Sequence, residues 1–235
     1  MRLRAVALVV GLAVGAALAG CSGGGPAGGG PAGAAPTPLP TLHDALLTAA
    51  RLPAGFELLP DVSPAPRRRA PGEPIASMPC TELTVTQLLP THTPSQEHVS
   101  VGLKGPAADA DGIDWFGEET LDRYGPGKAA AAMADLRGAV RRCPTYTTDF
   151  PDGTSEQDTL STEDPGLPGD EGLVLRVASL FPGGTDPFVS EVAFVREGDV
   201  ILTVHKVVDQ KPLAGVEAVL PAAVTAYRAV HPSAG

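Results

Sequence analysis

The chain is 235 residues long, is 43% hydrophobic, and carries 27 acidic against 17 basic side chains, a formal charge of −10. A surface that acidic repels phosphate backbones and anionic lipid headgroups, which argues against nucleic acid as a partner. The three cysteines, 28 glycines and 25 prolines are unevenly placed, and their placement sorts the chain into residues 1–20, 21–40 and 41–235.

Residues 1–20 read as a lipoprotein signal peptide. Arg2 and Arg4 supply a positive start, and Ala5 to Leu18 supply an apolar run of about 14 residues, the length of a signal-peptide core. That run is shorter than the ~20 apolar residues of a spanning helix. Leu18-Ala19-Gly20-Cys21 closes it with an aliphatic residue, two small residues and a cysteine, which resembles the lipobox of bacterial lipoproteins. The resemblance implies cleavage after Gly20 and a diacylglycerol on the Cys21 thiol, with acyl chains such as palmitate holding the chain on the extracytoplasmic face of the cell membrane. Loss of Arg2 and Arg4 leaves 15 basic residues against 27 acidic ones. Residues 21–40 are almost wholly Gly, Pro, Ala, Ser and Thr after the cysteine. Such a segment buries too little apolar surface to offset its ordering entropy and is expected to be a disordered tether, reaching on the order of 25 Å as a flexible coil.

Residues 41–235 are enough for one domain with a sizeable core. Two cysteines, Cys80 and Cys143, fall within it, and an even pair in an oxidising compartment predicts a Cys80–Cys143 disulfide. The alternatives are a free thiol pair or a metal site, and no histidine set accompanies the cysteines to complete a zinc site. No metal and no cofactor is expected.

In chain order, Leu42 to Leu52 has the spacing of a short amphipathic helix, ended by Pro53-Ala54-Gly55. Pro60 to Pro79 is proline-rich, contains Arg67-Arg68-Arg69 and reads as an exposed excursion. Thr81 to Leu89 is a predicted helix broken by Pro90 to Pro94, and Glu97 to Lys104 alternates as a strand with Val99, Val101 and Leu103 on one side. Asp114 to Tyr124 is ambiguous, with Trp115, Phe116 and Leu121 suggesting a strand that enters the core. Gly125-Pro126 opens the clearest helix, whose Ala129, Met133, Leu136 and Val140 share a face and whose end delivers Cys143 before Pro144. Strands are then predicted at Thr145 to Phe150, Ser155 to Thr162 and Gly172 to Leu180. Pro187 to Arg196 and Val200 to Val208 form a hairpin about Glu197-Gly198-Asp199. Pro212 to Val230 repeats apolar residues at helical spacing, with Pro221 expected to kink or split it. Strands in succession with helices grouped around them give an α+β fold with a mainly antiparallel sheet.

No catalytic motif stands out. The five histidines are dispersed, His92 and His98 lie across a proline-containing loop, and His205 has no sequence neighbour to complete a Ser-His-Asp set. Neither a nucleophile elbow nor a His-Glu-x-x-His pair occurs. Asp109-Ala110-Asp111-Gly112-Ile113-Asp114 has the start of a calcium loop but Thr120 where the closing carboxylate belongs. Glu163-Asp164 and Asp170-Glu171 read as solubilising loop charges.

From Cys80 onward the pattern resembles the extracytoplasmic sensor-like domains of actinobacterial lipoproteins and of PknH-type receptor kinases. Pro79-Cys80, Tyr124-Gly125 before the helix Ala129 to Val140, and Arg141-Arg142-Cys143 carry the resemblance. It continues in Gly169-Asp170-Glu171-Gly172 with the strand Val174 to Val177, in Arg196-Glu197-Gly198-Asp199-Val200, and in the closing helix. The resemblance implies an α+β domain with a central cleft for an unidentified envelope ligand. The kinase-type domain is similar to one with two disulfides, whereas one cysteine pair is present here, with neither kinase domain nor spanning helix. The expectation is a non-catalytic, lipid-anchored binding or sensor-like domain for a small envelope ligand or an envelope protein, with Trp115, Phe116, Tyr146 and Arg176 as candidate ligand contacts. An envelope hydrolase and a structural interaction lipoprotein are the alternatives.

Overall fold

Antiparallel pairing of alternating strands gives the described residues a single eight-stranded sheet, seen in a computed structural model that describes residues 40–59, 72–83, 88–106, 115–167, 171–209 and 214–232. Residues 1–39, which hold the expected signal peptide, Cys21 and nearly all of the expected tether, lie outside the described residues, as do the Arg67–Arg69 run and the Asp109–Asp114 acidic stretch.

The strands are β1 (Glu57–Leu58), β2 (Glu97–Lys104), β3 (Phe116–Arg123), β4 (Thr145–Asp149), β5 (Ser155–Glu163), β6 (Glu171–Leu180), β7 (Phe188–Glu197) and β8 (Val200–Asp209). Their order across the sheet is β1-β2-β3-β8-β7-β6-β5-β4. Two meanders, β1 to β3 and β4 to β8, therefore meet where β3 pairs with β8. The α+β class with a mainly antiparallel sheet follows directly.

Helices cover both faces. After β3 the helix α2 (Lys128–Arg142) carries the chain to β4 at the opposite edge, following a short helix α1 (Leu88–His92) earlier in the chain. Ala129, Ala132, Met133, Leu136 and Ala139 of α2 are buried with Leu88 and Leu89 of α1 against Leu160, Leu173, Leu175, Val192, Phe194 and Ile201 of the sheet. The opposite face packs Leu103, Leu121, Val174, Ala193, Val195, Leu202 and Val204 against Leu42, Ala45, Leu46 and the closing helix α3 (Leu220–Val230). Large apolar side chains on both faces, each contributing about 1.5–3 kcal/mol when fully buried, hold the three layers together.

Several local outcomes differ from the sequence expectation. Leu42 to Leu52 forms only a 3₁₀ turn at His43–Ala45, because Leu46 turns to extended backbone (φ −62°, ψ 157°) and carries its side chain under α3. A 3₁₀ turn, Cys80–Glu82, and α1 stand where one helix was expected over Thr81 to Leu89. α1 ends at His92, inside the Pro90 to Pro94 stretch expected to break it, and Pro90 itself lies within the helix. Pro221 splits the closing segment as expected: it lies in the first turn of α3, and a separate 3₁₀ turn precedes the helix at Val216–Ala218. α2 begins at Lys128, two residues after Pro126, with Gly127 in the left-handed region at φ 72°.

The β7–β8 hairpin turns through Gly198 at φ 60°, which a glycine adopts without strain. The sulfurs of Cys80 and Cys143 meet at disulfide distance, with Cα atoms 5.6 Å apart, and tie the end of α2 to the segment before α1. Beside them Arg142 donates to three backbone carbonyls, Ile75, Ala76 and Met78 at 3.2, 2.8 and 3.0 Å.

Candidate functional site

The α2 face of the sheet changes character at β8. Under α2 it is apolar, through Val192 and Phe194, but on β8, β3 and β2 the same face carries hydroxyls, imidazoles and carboxylates. The register sets them in rows. Thr203, Thr120 and Ser100 lie side by side across the three strands, Asp122 sits beside His98 in the row above, and His205, Glu118 and Gly102 form the row below. Alternation along each strand is the local cause, since Leu121, Val99, Val101, Leu202 and Val204 take the other face.

Asp122, 2% exposed, is the centre of this polar panel. Its Oδ1 accepts from Ser95 Oγ at 2.7 Å and lies 2.9 Å from His98 Nδ1, and its Oδ2 accepts from Thr120 Oγ1 at 3.4 Å. A buried charge without partners costs several kcal/mol, and three side-chain partners offset that here. The hydrogen bond to Asp122 raises the His98 pKa above its ordinary value against the opposing effect of burial. His205 behaves oppositely: burial lowers its pKa, and the Glu118 carboxylate, 4.0 Å from its Nδ1, only partly opposes that. One imidazole is thus held toward its charged form and the other toward its neutral form. Gly117, on β3 next to Glu118, is required by close approach, because a Cβ there would stand 2.3 Å from the His205 carbonyl oxygen.

Ser95, His98 and Asp122 converge without forming an activated nucleophile. The serine hydroxyl donates to the carboxylate, and His98 Nδ1 uses the same oxygen, so the imidazole is not the acceptor of the Ser95 proton. Asp158 on β5 is a second buried carboxylate on this face, satisfied by Thr148 and Ser179 from neighbouring strands. Among the described residues no group of three or more His, Cys, Asp and Glu side chains is placed to hold a metal ion.

The four residues singled out from sequence do not converge. Trp115, 1% exposed, lies on the α3 face with its ring edge-on to Phe56 at 5.1 Å. Arg176 is on that face too, on β6, where Glu163 and Glu191 hold it at 2.7 Å each and Glu217 stands at 3.9 Å. Phe116 begins β3 and is 36% exposed, with Lys104 Nζ 6.0 Å from its ring centre. Tyr146 is half-buried on the edge strand β4, packed against the α2-side core, and burial raises its phenol pKa. His92 ends α1, with Nδ1 2.6 Å from the Glu73 carbonyl oxygen, while His98 belongs to β2.

Sequence reasoning missed Asp122, His98, Thr120, Thr203 and Glu118 as a group. The available signal was the alternation itself, which marks one side of β2, β3 and β8 as polar. No family model matches the chain, and no curated protein sequence matches it.

Proposed function

We propose that the chain is a lipid-anchored extracytoplasmic binding domain, and that the polar panel on β2, β3 and β8 meets its ligand. The single observation that carries this reading is a row of hydroxyls with two imidazoles and two carboxylates, side by side on β2, β3 and β8 of a sheet face that is mainly apolar where α2 covers it. Packing does not require those groups. A sheet face exists to bury apolar area, and each buried polar group costs free energy until it is hydrogen-bonded.

The chemistry of the panel indicates the ligand class. Hydroxyls and a neutral imidazole both donate and accept, while Asp122 and Glu118 disfavour anions, so the fitting ligand is a small neutral or cationic polar molecule rich in hydroxyl groups. Capture without turnover agrees with Ser95 donating to Asp122. The lipobox at Cys21 and the tether after it support an anchored position at the outer face of the cell membrane, with the Cys80–Cys143 bond formed in an oxidising compartment.

Native mass spectrometry of the protein released from its own cells tests the reading. The expected result is a discrete added mass that disappears with Asp122→Asn and Thr203→Val. A bare protein mass in every preparation, or hydrolysis of ester, peptide or glycoside substrates that is lost with His98→Ala, would overturn it.

A further inference from the structure

The turns at one end of the sheet gather three phenylalanines. Phe150 follows β4, Phe181 follows β6 and Phe188 opens β7. The Phe181 ring stacks with Phe150 at 6.3 Å and meets Phe188 edge-on at 5.7 Å. Phe181 is 40% exposed and Leu180 beside it 37%, so the cluster forms an apolar patch open to solvent. The Gly184 N–H donates to the Phe181 carbonyl oxygen at 3.0 Å, which closes a tight turn directly after the ring and sets its position.

The charge around this patch is one-sided. Residues 144–195, which supply β4 to β6 and most of β7, contain ten acidic side chains and one basic one, Arg176. Arg176 is itself held at 2.7 Å by both Glu163 and Glu191. Asp149 precedes Phe150, Asp152 lies in the turn after it, and Asp186 shares the turn of Phe181, and all three are exposed. A groove of about 410 Å³ runs along Leu180 and Phe181, and Glu156 is the one charged side chain in its lining among the described residues. Burial, with the Asp158 charge beside it, raises the Glu156 pKa above its ordinary value, and a neighbouring cation would favour the ionised form.

We propose that this end of the sheet docks a Lys- or Arg-bearing segment of another protein, whose cationic side chains meet the Phe181 ring and the carboxylates of the same turns. An aromatic ring attracts a cation, and a nearby carboxylate adds Coulomb attraction. The same charge argues against the other occupants of an exposed aromatic patch. A second copy of this chain brings the same acidic turns, so the two surfaces repel, and anionic lipid headgroups are repelled for the same reason. Arginine fits better than lysine, since its planar guanidinium both stacks on a ring and pairs with a carboxylate. The surface lies toward the β4 edge of the sheet, apart from the polar panel on β2, β3 and β8, and does not depend on what that panel binds.

Full-length Cys21→Ala protein, prepared without detergent, is titrated with hexa-arginine and followed by amide NMR, with hexa-lysine and hexa-glutamine as comparisons. The expected result is saturable shifts at Gly153, Gly183 and Gly184, with hexa-arginine binding tighter than hexa-lysine and hexa-glutamine producing none. Phe181→Leu keeps an apolar side chain without the ring, and affinity is expected to fall about three- to fivefold. Asp149→Asn with Asp186→Asn, at exposed positions that leave the core untouched, is expected to weaken binding about fourfold. Glu57→Gln, on the opposite edge strand β1, leaves it unchanged. Absence of saturable shifts, shifts spread over the whole acidic surface, or equal affinity in Phe181→Leu would overturn the proposal. So would Phe181-dependent binding to phosphatidylcholine vesicles in place of the peptide, which marks a lipid surface, or a Phe181-dependent dimer in sedimentation, which marks a second copy.

Discussion

Replacing Glu119 by glutamine isolates the cost of burying one carboxylate. In the folded chain burial raises its pKa from 4.5 to about 7, and the Leu47 hydrogen bond opposes this only in part. A group whose folded pKa is raised leaves the fold most stable below its unfolded value, here 4.5. That stability drains away between pH 4.5 and about 7 and is then constant. At 1.36 kcal/mol per pH unit the loss is about 3 kcal/mol. Glutamine keeps an oxygen for the Leu47 N–H and never ionises, so Glu119→Gln removes the loss. Urea unfolding of the Cys21→Ala protein and its Glu119→Gln counterpart, measured from pH 4.5 to 8.5, reads the difference directly. The two are expected to match near pH 4.5 and to diverge as the pH rises, the variant becoming more stable by about 3 kcal/mol at pH 8. All other titrating groups are common to both proteins and cancel. Parallel profiles, or a gap that grows toward acid, would refute the burial of an ionisable Glu119.

Three further outcomes are expected. Reducing the Cys80–Cys143 pair, 63 residues apart, lowers unfolding stability by roughly 4 kcal/mol on chain-entropy grounds, and unfolding midpoints with and without reductant check this. Asp122→Asn returns the His98 pKa toward its ordinary 6.5, which an imidazole NMR titration measures. The contribution of that pair to stability is full below pH 6.5 and is lost as the pH rises through the raised value. Cys21→Ala shifts the protein from the detergent phase to the aqueous phase in a two-phase extraction, and unchanged partitioning would remove the lipid anchor.

Legibility in the sequence followed how local each interaction is. Glu97 to Lys104 is β2 to the residue, and the β7–β8 hairpin lies within one residue of its expected ends, because alternation and the Gly198 turn are encoded in adjacent residues. The apolar stripe of α2 was readable for the same reason. Leu42 to Leu52 misled because Leu46 serves the core from extended backbone, whereas Pro221 split the closing segment as a residue without an amide hydrogen does. Glu119 left a trace, a carboxylate in step with Leu121, but nothing local says that this side of β3 is covered.

The amino-acid order by itself determined which side chains share a face of each strand, where the hairpin turns, and which residues form the α2 stripe. Only the tertiary structure decided the strand order and the coverage of each face. Thr203 reaches Thr120 and Ser100 because β8 hydrogen-bonds to β3, and the backbone groups that make that pairing are the same in every residue. Burial by a distant segment likewise decided the setting of Glu119, which the Leu47 amide meets from the stretch that packs on the α3 face.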